Sequence, residues 1–257
     1  MNKIVQLSEE ELLQWIKSQL EKREFYSGRW KEKDKLKEML YEIIFYEQGI
    51  TLEEIENAFI PFSQAGYLSS RQKFELMLYM LEKEYGNCSC FLDGAENYGV
   101  VTEEDIEVIY VEWLKEECFI LSEEEKMEFF VQTIMDRLGL GVLEVLNRVA
   151  PDGILLGEFC PKVNEKECME ERIAVCSGGV VIRLPFLAMK NKEELIRIIR
   201  CVIASENKRE LTIAEPMQDF VKEDGTCITA IRPPVGKDWG IRILFGAARK
   251  RGCQWRV

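Results

Sequence analysis

The sequence predicts an α+β protein, in which a helical bundle is followed by a mainly antiparallel sheet with a helix packed on one face. Two observations predict this class. Apolar residues recur at helical spacing in the first half of the chain, and short runs rich in branched apolar residues follow Pro151. Strands followed by one helix and then by further strands favour an antiparallel sheet.

Capping residues predict where the helices of the first half begin. Ser8, with Glu11 three residues on, forms a capping box before a helix over about 9–24. A second helix is predicted from Lys31 to about Glu47, with Gly49 ending it. The later helices of this half are predicted to open at Thr51, Ser70, Thr102 and Ser122. The acidic runs on these helices are interpreted as solvated faces.

Short apolar segments predict six strands in the second half: Ile154–Phe159, Arg172–Cys176, Val180–Leu184, Met217–Lys222, Cys227–Arg232 and Ile241–Phe245. Ser177-Gly178-Gly179 and Glu223-Asp224-Gly225 are tight-turn sequences, so each predicts a hairpin. Between the two hairpins, Asn191 with Glu194 caps a predicted helix.

The composition indicates a globular protein that does not bind nucleic acid. The 257 residues carry a formal net charge of −12, whereas a surface that neutralises nucleic-acid phosphates needs clustered Lys and Arg. The sequence has no signal-peptide pattern and no run of about 18 uncharged apolar residues, so a cytoplasmic location is predicted. The nine cysteines are odd in number and scattered, and they are interpreted as reduced thiols.

No catalytic residue and no metal site are predicted. The chain contains no histidine, which excludes Ser-His-Asp and Cys-His catalysis. Cys88 and Cys90 lie near Asp93, but no second ligand pair stands at zinc spacing, so they are interpreted as loop cysteines.

A phosphoryl-transfer motor needs a loop whose amides and lysine hold the phosphates, written G-x-x-x-x-G-K-[ST]. That motif does not occur in the 257 residues, and its nearest fragment, Gly236-Lys237, is followed by Asp238. We therefore expect no autonomous activity and no cofactor bound by this chain alone.

Several segments of the second half follow one another in a recognisable order. DRLGLGVLEVLNRVAPDGILLGEF joins a helix with a G-x-G-x-L-E core to a strand, and a hairpin, a helix and a closing hairpin come next. The closing part carries Pro216-Met217, Asp224-Gly225 and a strand leading into Pro233-Pro234. Over residues 138–245 this order resembles the amino-terminal, non-catalytic region of CpaF-type ATPases, the motors of tight-adherence (Flp) pili and type II/IV secretion.

The resemblance implies partners and a role. In that family the domain joins an ATPase core, assembles into a hexameric ring and covers the nucleotide pocket, and ATP and Mg are bound by the complete motor. The implied partners of this chain are an ATPase core domain or neighbouring subunits, and a membrane platform protein of the pilus or secretion machine. The chain itself would then be peripheral at the cytoplasmic face of the membrane. The chain would be the assembly and nucleotide-lid portion of such a motor.

Two arginines are implied to contact nucleotide in a complete motor. Arg242, in GIRILF, falls where the family has the arginine of an I-R-K sequence, and Arg232 is the second candidate. The alternative interpretation of Arg242 is an ordinary surface arginine on a strand. The match departs from the family at Thr226-Cys227, which follows Gly225 where Ser-Arg is common, and at Ile243, where a lysine is expected.

Three regions are predicted: a helical bundle over 1–137, an α+β domain over 138–245, and a basic tail over 246–257. The tail does not continue the apolar alternation, so we expect a truncation, a frameshift remnant or the end of an isolated domain. Two other functions stay open, namely a free-standing module that binds protein partners through its acidic bundle, and an enzyme with no recognisable motif.

Overall fold

The structure, a computed structural model, describes residues 8–23, 32–86, 88–92, 99–117, 121–162, 167–206 and 208–246. Within these residues the helices are α1 (Glu9–Lys22), α2 (Lys33–Tyr41), α3 (Leu52–Ala58), α4 (Ser70–Tyr85), α5 (Glu103–Glu117), α6 (Glu123–Leu138), α7 (Val142–Val149) and α8 (Lys192–Ser205). The strands are β1 (Gly153–Gly157), β2 (Ile173–Ser177), β3 (Val180–Arg183), β4 (Met217–Val221), β5 (Cys227–Ile231) and β6 (Gly240–Leu244). Residues 247–257 of the predicted basic tail lie outside the described residues.

Capping boxes open α1, α3 and α6, as the sequence predicts. The hydroxyls of Ser8, Thr51 and Ser122 each accept the amide of the glutamate three residues on, and that glutamate accepts the capping residue's own amide. Thr102 and Asp105 make the same reciprocal bonds before α5. These helix starts are therefore set by contacts between residues three positions apart.

Helix α4 begins at Ser70, as predicted, and the preceding residue caps it. The hydroxyl of Ser69 accepts the amide of Gln72 at 3.2 Å, and the Gln72 side chain accepts the Ser69 amide at 2.9 Å. Ser70 is the first helical residue and not the cap. Of the two adjacent serines, Ser69 is the cap because only it has a glutamine three residues later.

Helix α2 is followed directly by a π-helical segment, Glu42–Glu47. Together they occupy the place of the helix that the sequence predicts up to Glu47. Ile43 and Ile44 are fully buried in this segment. The segment is followed by Gly49, whose φ of 62° is a conformation that favours glycine.

The first of two compact units comprises Met1–Tyr79 and Glu107–Gly141, and its described part is helical. Helix α6 packs against α1, α2 and α3. Phe129 and Phe130 on α6 are buried, and their rings lie 5.9 Å from Phe62 and 5.8 Å from Phe59. The core of this unit is therefore built around α6.

The second unit comprises Met80–Ile106 and Val142–Val257. Residues 80–106, which were predicted to belong to the bundle, therefore group with the sheet. Its strands form one six-stranded sheet in the order β3-β2-β1-β6-β5-β4, and all neighbours are antiparallel. Strands β1 to β3 form one meander and β4 to β6 a second, joined where β1 pairs with β6. The predicted α+β class, with helices first and an antiparallel sheet afterwards, is confirmed.

Helix α8 lies in sequence between the two meanders and packs against β6. The side chain of Asn191 accepts the amide of Glu194 at 3.0 Å, which caps the helix as predicted. Leu195, Ile198 and Ile199 are fully buried. The apolar face of α8 thus covers one face of the sheet.

The two predicted hairpins are present. The turn between β2 and β3 contains Gly178 at φ 56° and Gly179 at φ 90°, and the turn between β4 and β5 contains Gly225 at φ 84°. The carboxylate of Asp224 accepts the amide of Thr226 at 2.8 Å, and this bond lowers the pKa of Asp224. The Asp224 turn therefore sets the register in which β4 pairs with β5.

Candidate functional site

Arg242 lies on β6, in the centre of the sheet, opposite Leu155 of β1 and Thr229 of β5. Its guanidinium carbon is 5.2 Å from the centre of the Phe159 ring, and its Nη2 donates a hydrogen bond to Thr229 Oγ1 at 3.2 Å. The side chain is half-buried. Phe159 and Thr229 thus hold the guanidinium in one orientation.

The hydrogen bonds continue from Arg242 to the edge of the sheet. Thr229, which is buried, donates its hydroxyl proton to Asp219 Oδ1 at 2.8 Å, and Asp219 is exposed on the edge strand β4. Asp219, Thr229 and Arg242 are directly opposite one another on three neighbouring strands, so their side chains share one face. We call these three residues the polar row.

The polar row leaves hydrogen-bonding capacity unused at both of its ends. A guanidinium has five N–H donors, and within the described residues Arg242 uses one of them. Asp219 accepts one hydrogen bond, at Oδ1. A phosphate or carboxylate at the Arg242 end, or a cation at the Asp219 end, could therefore bind without displacing a contact of the row.

Arg232 is not brought together with Arg242. It follows β5 three residues after Thr229, and because side chains alternate along a strand it lies on the opposite face of the sheet. Its Nη1 donates to the carbonyl of Leu211 at 3.3 Å, and its guanidinium carbon lies 4.9 Å from the centre of the Trp239 ring. Arg232 therefore joins two segments of the protein, and the two arginines do not form one site.

A surface cavity of about 310 Å³ lies beside α8, on the side of Trp239. It is lined by Glu193, Ile196, Arg197, Arg200, Cys201 and Trp239. Arg200 Nε is already paired with Glu210 Oε1 at 2.8 Å. The cavity is thus a mixed apolar and charged groove on the helix-covered face, separate from the polar row.

Two buried arginines that the sequence analysis did not single out lie at the ends of β2 and β3. Arg172, 3% exposed, donates to the carbonyl of Cys160 through Nε at 3.1 Å and to that of Glu158 through Nη2 at 3.0 Å. Arg183 is buried and forms an ion pair with Glu167. Both arginines hold the segment that follows β1. An arginine at the end of an otherwise apolar strand is the sequence signal for this role.

Cys160 lies beside these two arginines but is not poised as a nucleophile. Burial raises the pKa of its thiol, and the charges of Arg183 and Arg172 offset that effect only in part. The thiol is fully buried and packs with Leu155, Ala174 and Cys176. The net result is a protonated thiol that belongs to the core.

The helical unit contains a buried carboxylate between two arginines. Glu75 is 2% exposed, accepts from Arg71 Nε at 2.9 Å, and accepts from Arg137 Nη1 and Nη2 at 3.0 and 3.3 Å. Burial alone would lower the pKa of Arg137, but the carboxylates of Glu75, Glu9 and Asp136 raise it overall. We call Glu75, Arg71 and Arg137 the buried ion cluster.

Cys88 and Cys90 lie at a short 3-10 helical segment, Ser89–Leu92. Cys88 is buried, and Asp93 lies outside the described residues. Across the described ranges, no three Cys, Asp or Glu side chains are grouped so that they could hold a metal ion.

Comparison with known proteins adds no family. No protein-family model matches this chain, and no curated protein matches it. Among the described helices, none is both long and apolar enough to cross a membrane.

Proposed function

We propose that this chain is the assembly and nucleotide-lid portion of a pilus-assembly or secretion ATPase motor of the type II/IV, Flp-pilus kind, acting with a phosphate-binding core that its own sequence does not contain. The observation that supports this most is the order of elements in the second unit. Hairpin β2–β3, helix α8 and hairpin β4–β5 precede a strand, β6, that carries Arg242. This is the order on which the sequence resemblance is based.

Arg242 is the residue proposed to face nucleotide. Its guanidinium is oriented by Phe159 and Thr229 and is half-buried, so binding a phosphate oxygen would cost little further side-chain entropy. Four of its five N–H donors are unused within the described residues. Arg232 contributes less to the proposal, because its guanidinium is held by Leu211 and Trp239 on the other face.

The partners proposed are an ATPase core, neighbouring subunits in a hexameric ring, and a platform protein of the membrane. ATP and Mg would be bound by the complete motor, and the chain would work in the cytoplasm at the inner face of the membrane. By itself the chain should bind ATP weakly or not at all, because most phosphate ligands of such a motor belong to its core.

The test is ATP turnover by the motor core with this chain joined to it, comparing wild type with Arg242→Ala. Loss of one charged hydrogen bond to phosphate should lower turnover by about 10- to 100-fold with the circular dichroism spectrum unchanged. Arg200→Ala, which removes an exposed arginine of the same unit, is the matched control. Equal turnover by all three proteins would return Arg242 to the role of an ordinary strand residue.

A second function has its own supporting observation. Val108, Ile109 and Val111 are exposed on α5 next to acidic side chains, as in a helix that binds a protein partner. The chain would then be a free-standing interaction module. A reading frame for an ATPase directly downstream of this gene favours the motor, and its absence favours the module.

A further inference from the structure

The two edges of the sheet differ in whether their outward backbone groups are hydrogen-bonded. At the β3 edge, the Arg183 amide donates to the Gly99 carbonyl at 3.0 Å and the Val101 amide donates to the Arg183 carbonyl at 2.9 Å. Residues 99–101 therefore pair with the end of that edge, at Arg183. Along the outer side of β4, no strand or bridge is present within the described ranges.

The hydrogen-bond pattern shows which groups of β4 point outward. The Arg232 amide donates to the Pro216 carbonyl at 3.0 Å, and the Lys222 amide donates to the Thr226 carbonyl at 2.8 Å. In an antiparallel ladder alternate residues bond to the same neighbour, so the even-numbered residues of β4 bond to β5. The amides and carbonyls of Met217, Asp219 and Val221 consequently face away from the sheet, and they make no backbone hydrogen bond within the described residues.

Strand β4 lacks the lysine and proline that often block an exposed edge, and Asp219 is its one charged residue. Its five residues, MQDFV, include no lysine, arginine or proline. The side chains of Met217 and Val221 are 47% and 57% exposed, and they flank Asp219 on one face. The edge thus offers both unpaired backbone groups and apolar side-chain surface.

Asp219 determines which partner fits this edge. It is the carboxylate end of the polar row, where Thr229 occupies Oδ1. A residue placed opposite Asp219 on an added strand would have its side chain on the same face, about 5 Å away between Cβ atoms. A lysine or arginine there would extend the row from Arg242 through Thr229 and Asp219 to a second cation.

We propose that β4 binds an extended basic segment of another protein, which adds as a seventh, antiparallel strand. Its central lysine or arginine lies opposite Asp219, and apolar residues two positions to either side lie opposite Met217 and Val221. The backbone bonds provide affinity and the Asp219 pair provides selectivity. The proposal does not depend on the nucleotide-lid function.

A second copy of this chain fits the edge less well. Two β4 strands that pair through all their outward groups must be centred on Asp219, which places two carboxylates directly opposite each other. Shifted registers avoid that repulsion but lose hydrogen bonds. The net charge of −12 further opposes self-association and favours a basic partner.

The experiment uses the full chain and a fluorescent seven-residue peptide with lysine at its centre, valine two residues to either side and threonine elsewhere. Saturable binding by fluorescence anisotropy is expected. Peptide should slow amide hydrogen exchange at Met217, Asp219 and Val221, because their amides become bonded. Exchange at Gln218 and Phe220, which already bond to β5, should change little.

Three protein variants and two peptide variants separate the contributions. Asp219→Asn keeps an acceptor for Thr229 but should lower the affinity for the lysine peptide about threefold. It should not lower the affinity for a norleucine-centred peptide. Val221→Pro removes one outward amide and should weaken both peptides about fivefold. Gln218→Lys leaves the outward amides and carbonyls of β4 intact and is the protein control. A peptide that is N-methylated on its pairing amides is the peptide control and should not bind wild type.

Three results would overturn the proposal. The first is an absence of saturable binding to wild type. The second is an equal gain of protection at the odd and even residues of β4. The third is binding of the lysine peptide by Asp219→Asn that is as tight as binding by wild type. A dimer in sedimentation that Val221→Lys dissociates would assign the edge to a second copy instead.

Discussion

Both units of this protein contain arginine and carboxylate side chains that are linked by hydrogen bonds. In one unit the groups pair directly, and in the other they are linked through a hydroxyl. In the buried ion cluster, Glu75 lies between Arg71 and Arg137 and both of its oxygens accept hydrogen bonds. In the polar row, Arg242 and Asp219 are joined only through the hydroxyl of Thr229. The shared carboxylate of the cluster, Glu75, is buried, whereas the row runs from the centre of the sheet to an exposed edge.

This difference separates a structural role from a binding role. A charge that is desolvated and already paired has little left to offer a ligand, and its removal leaves uncompensated charge inside the protein. A half-buried charge with unused donors can bind a ligand at small cost. The comparison therefore supports a structural role for Glu75 and the binding roles that we propose for Arg242 and Asp219.

The largest expected effect is in the cluster. Glu75→Gln keeps the shape of the side chain but removes the carboxylate that Arg71 and Arg137 share, leaving Arg137 with its ion pair to the exposed Glu9, and unfolding free energy should fall by about 3 kcal/mol. Urea unfolding followed by circular dichroism measures it. Glu84→Gln, an exposed position on the same helix, is the control and should change stability by less than about 0.5 kcal/mol. Equal effects at the two positions would show that the cluster is not structural.

Arg172 should come next. Arg172→Met fills the space of the stem but removes the donors to the carbonyls of Cys160 and Glu158, which should cost about 2 kcal/mol. The same urea experiment applies. Arg200→Met, in which the lost arginine is 56% exposed and paired at the surface, should cost less than about 0.5 kcal/mol. If Arg172→Met were as stable as wild type, these hydrogen bonds would make no net contribution.

In the polar row the expected effect is smaller. Thr229→Val keeps the volume of a buried side chain and removes the hydroxyl that joins Arg242 to Asp219, for a loss of about 1 kcal/mol. Thermal unfolding of the single and double variants in a cycle with Asp219→Ala measures the coupling. A coupling energy near zero would mean that the hydroxyl does not link the two residues.

The smallest effect concerns acid pH. Hydrogen bonds from the amides of Ser8 and Thr102 lower the pKa of Glu11 and Asp105. Carboxylates whose folded pKa is lowered add stability above their unfolded pKa, and this stability is lost as the pH falls through the folded value. Urea midpoints should therefore decline below about pH 4.3.

Asp105→Asn should make that decline shallower, because it removes one of these carboxylates. Glu104→Gln takes a carboxylate from the same first turn without touching the bonds to Thr102, and it serves as the control. An unchanged acid slope in Asp105→Asn would contradict the assignment.

How well the sequence predicts each feature depends on how far apart in the chain the interacting residues lie. The caps at Ser8, Thr51 and Asn191 depend on a residue three positions away, so the sequence predicts them. The pairing of Asp219 with Thr229 also follows from a nearby feature, because the turn at Asp224 fixes the register of β4 and β5.

Other parts of the site depend on contacts that no local pattern specifies. Thr229 faces Arg242 because β5 and β6 pair across an irregular segment whose length does not determine a register. The opposite orientation of Arg232 follows from the same register. Glu75 stands among apolar residues of α4, and its partner Arg137 lies on a helix far along the chain. Helical periodicity alone therefore predicts that Glu75 is a solvent-exposed charge.

The pairing of β1 with β6 also has a consequence for how the chain acquires its shape. Strands β1, β2 and β3 are translated consecutively, and so are β4, β5 and β6. The seam between the two meanders is the pairing of β1 with β6, which are the first and last strands in the chain. We expect the two meanders to form early and this seam to close last, when β6 is complete. Pulsed hydrogen-exchange labelling during refolding should then protect the amides of Ile241 and Ile243, which face β1, after those of Gln218 and Phe220. A ribosome stalled before codon 240 would hold a chain whose central strand has one of its two neighbours missing.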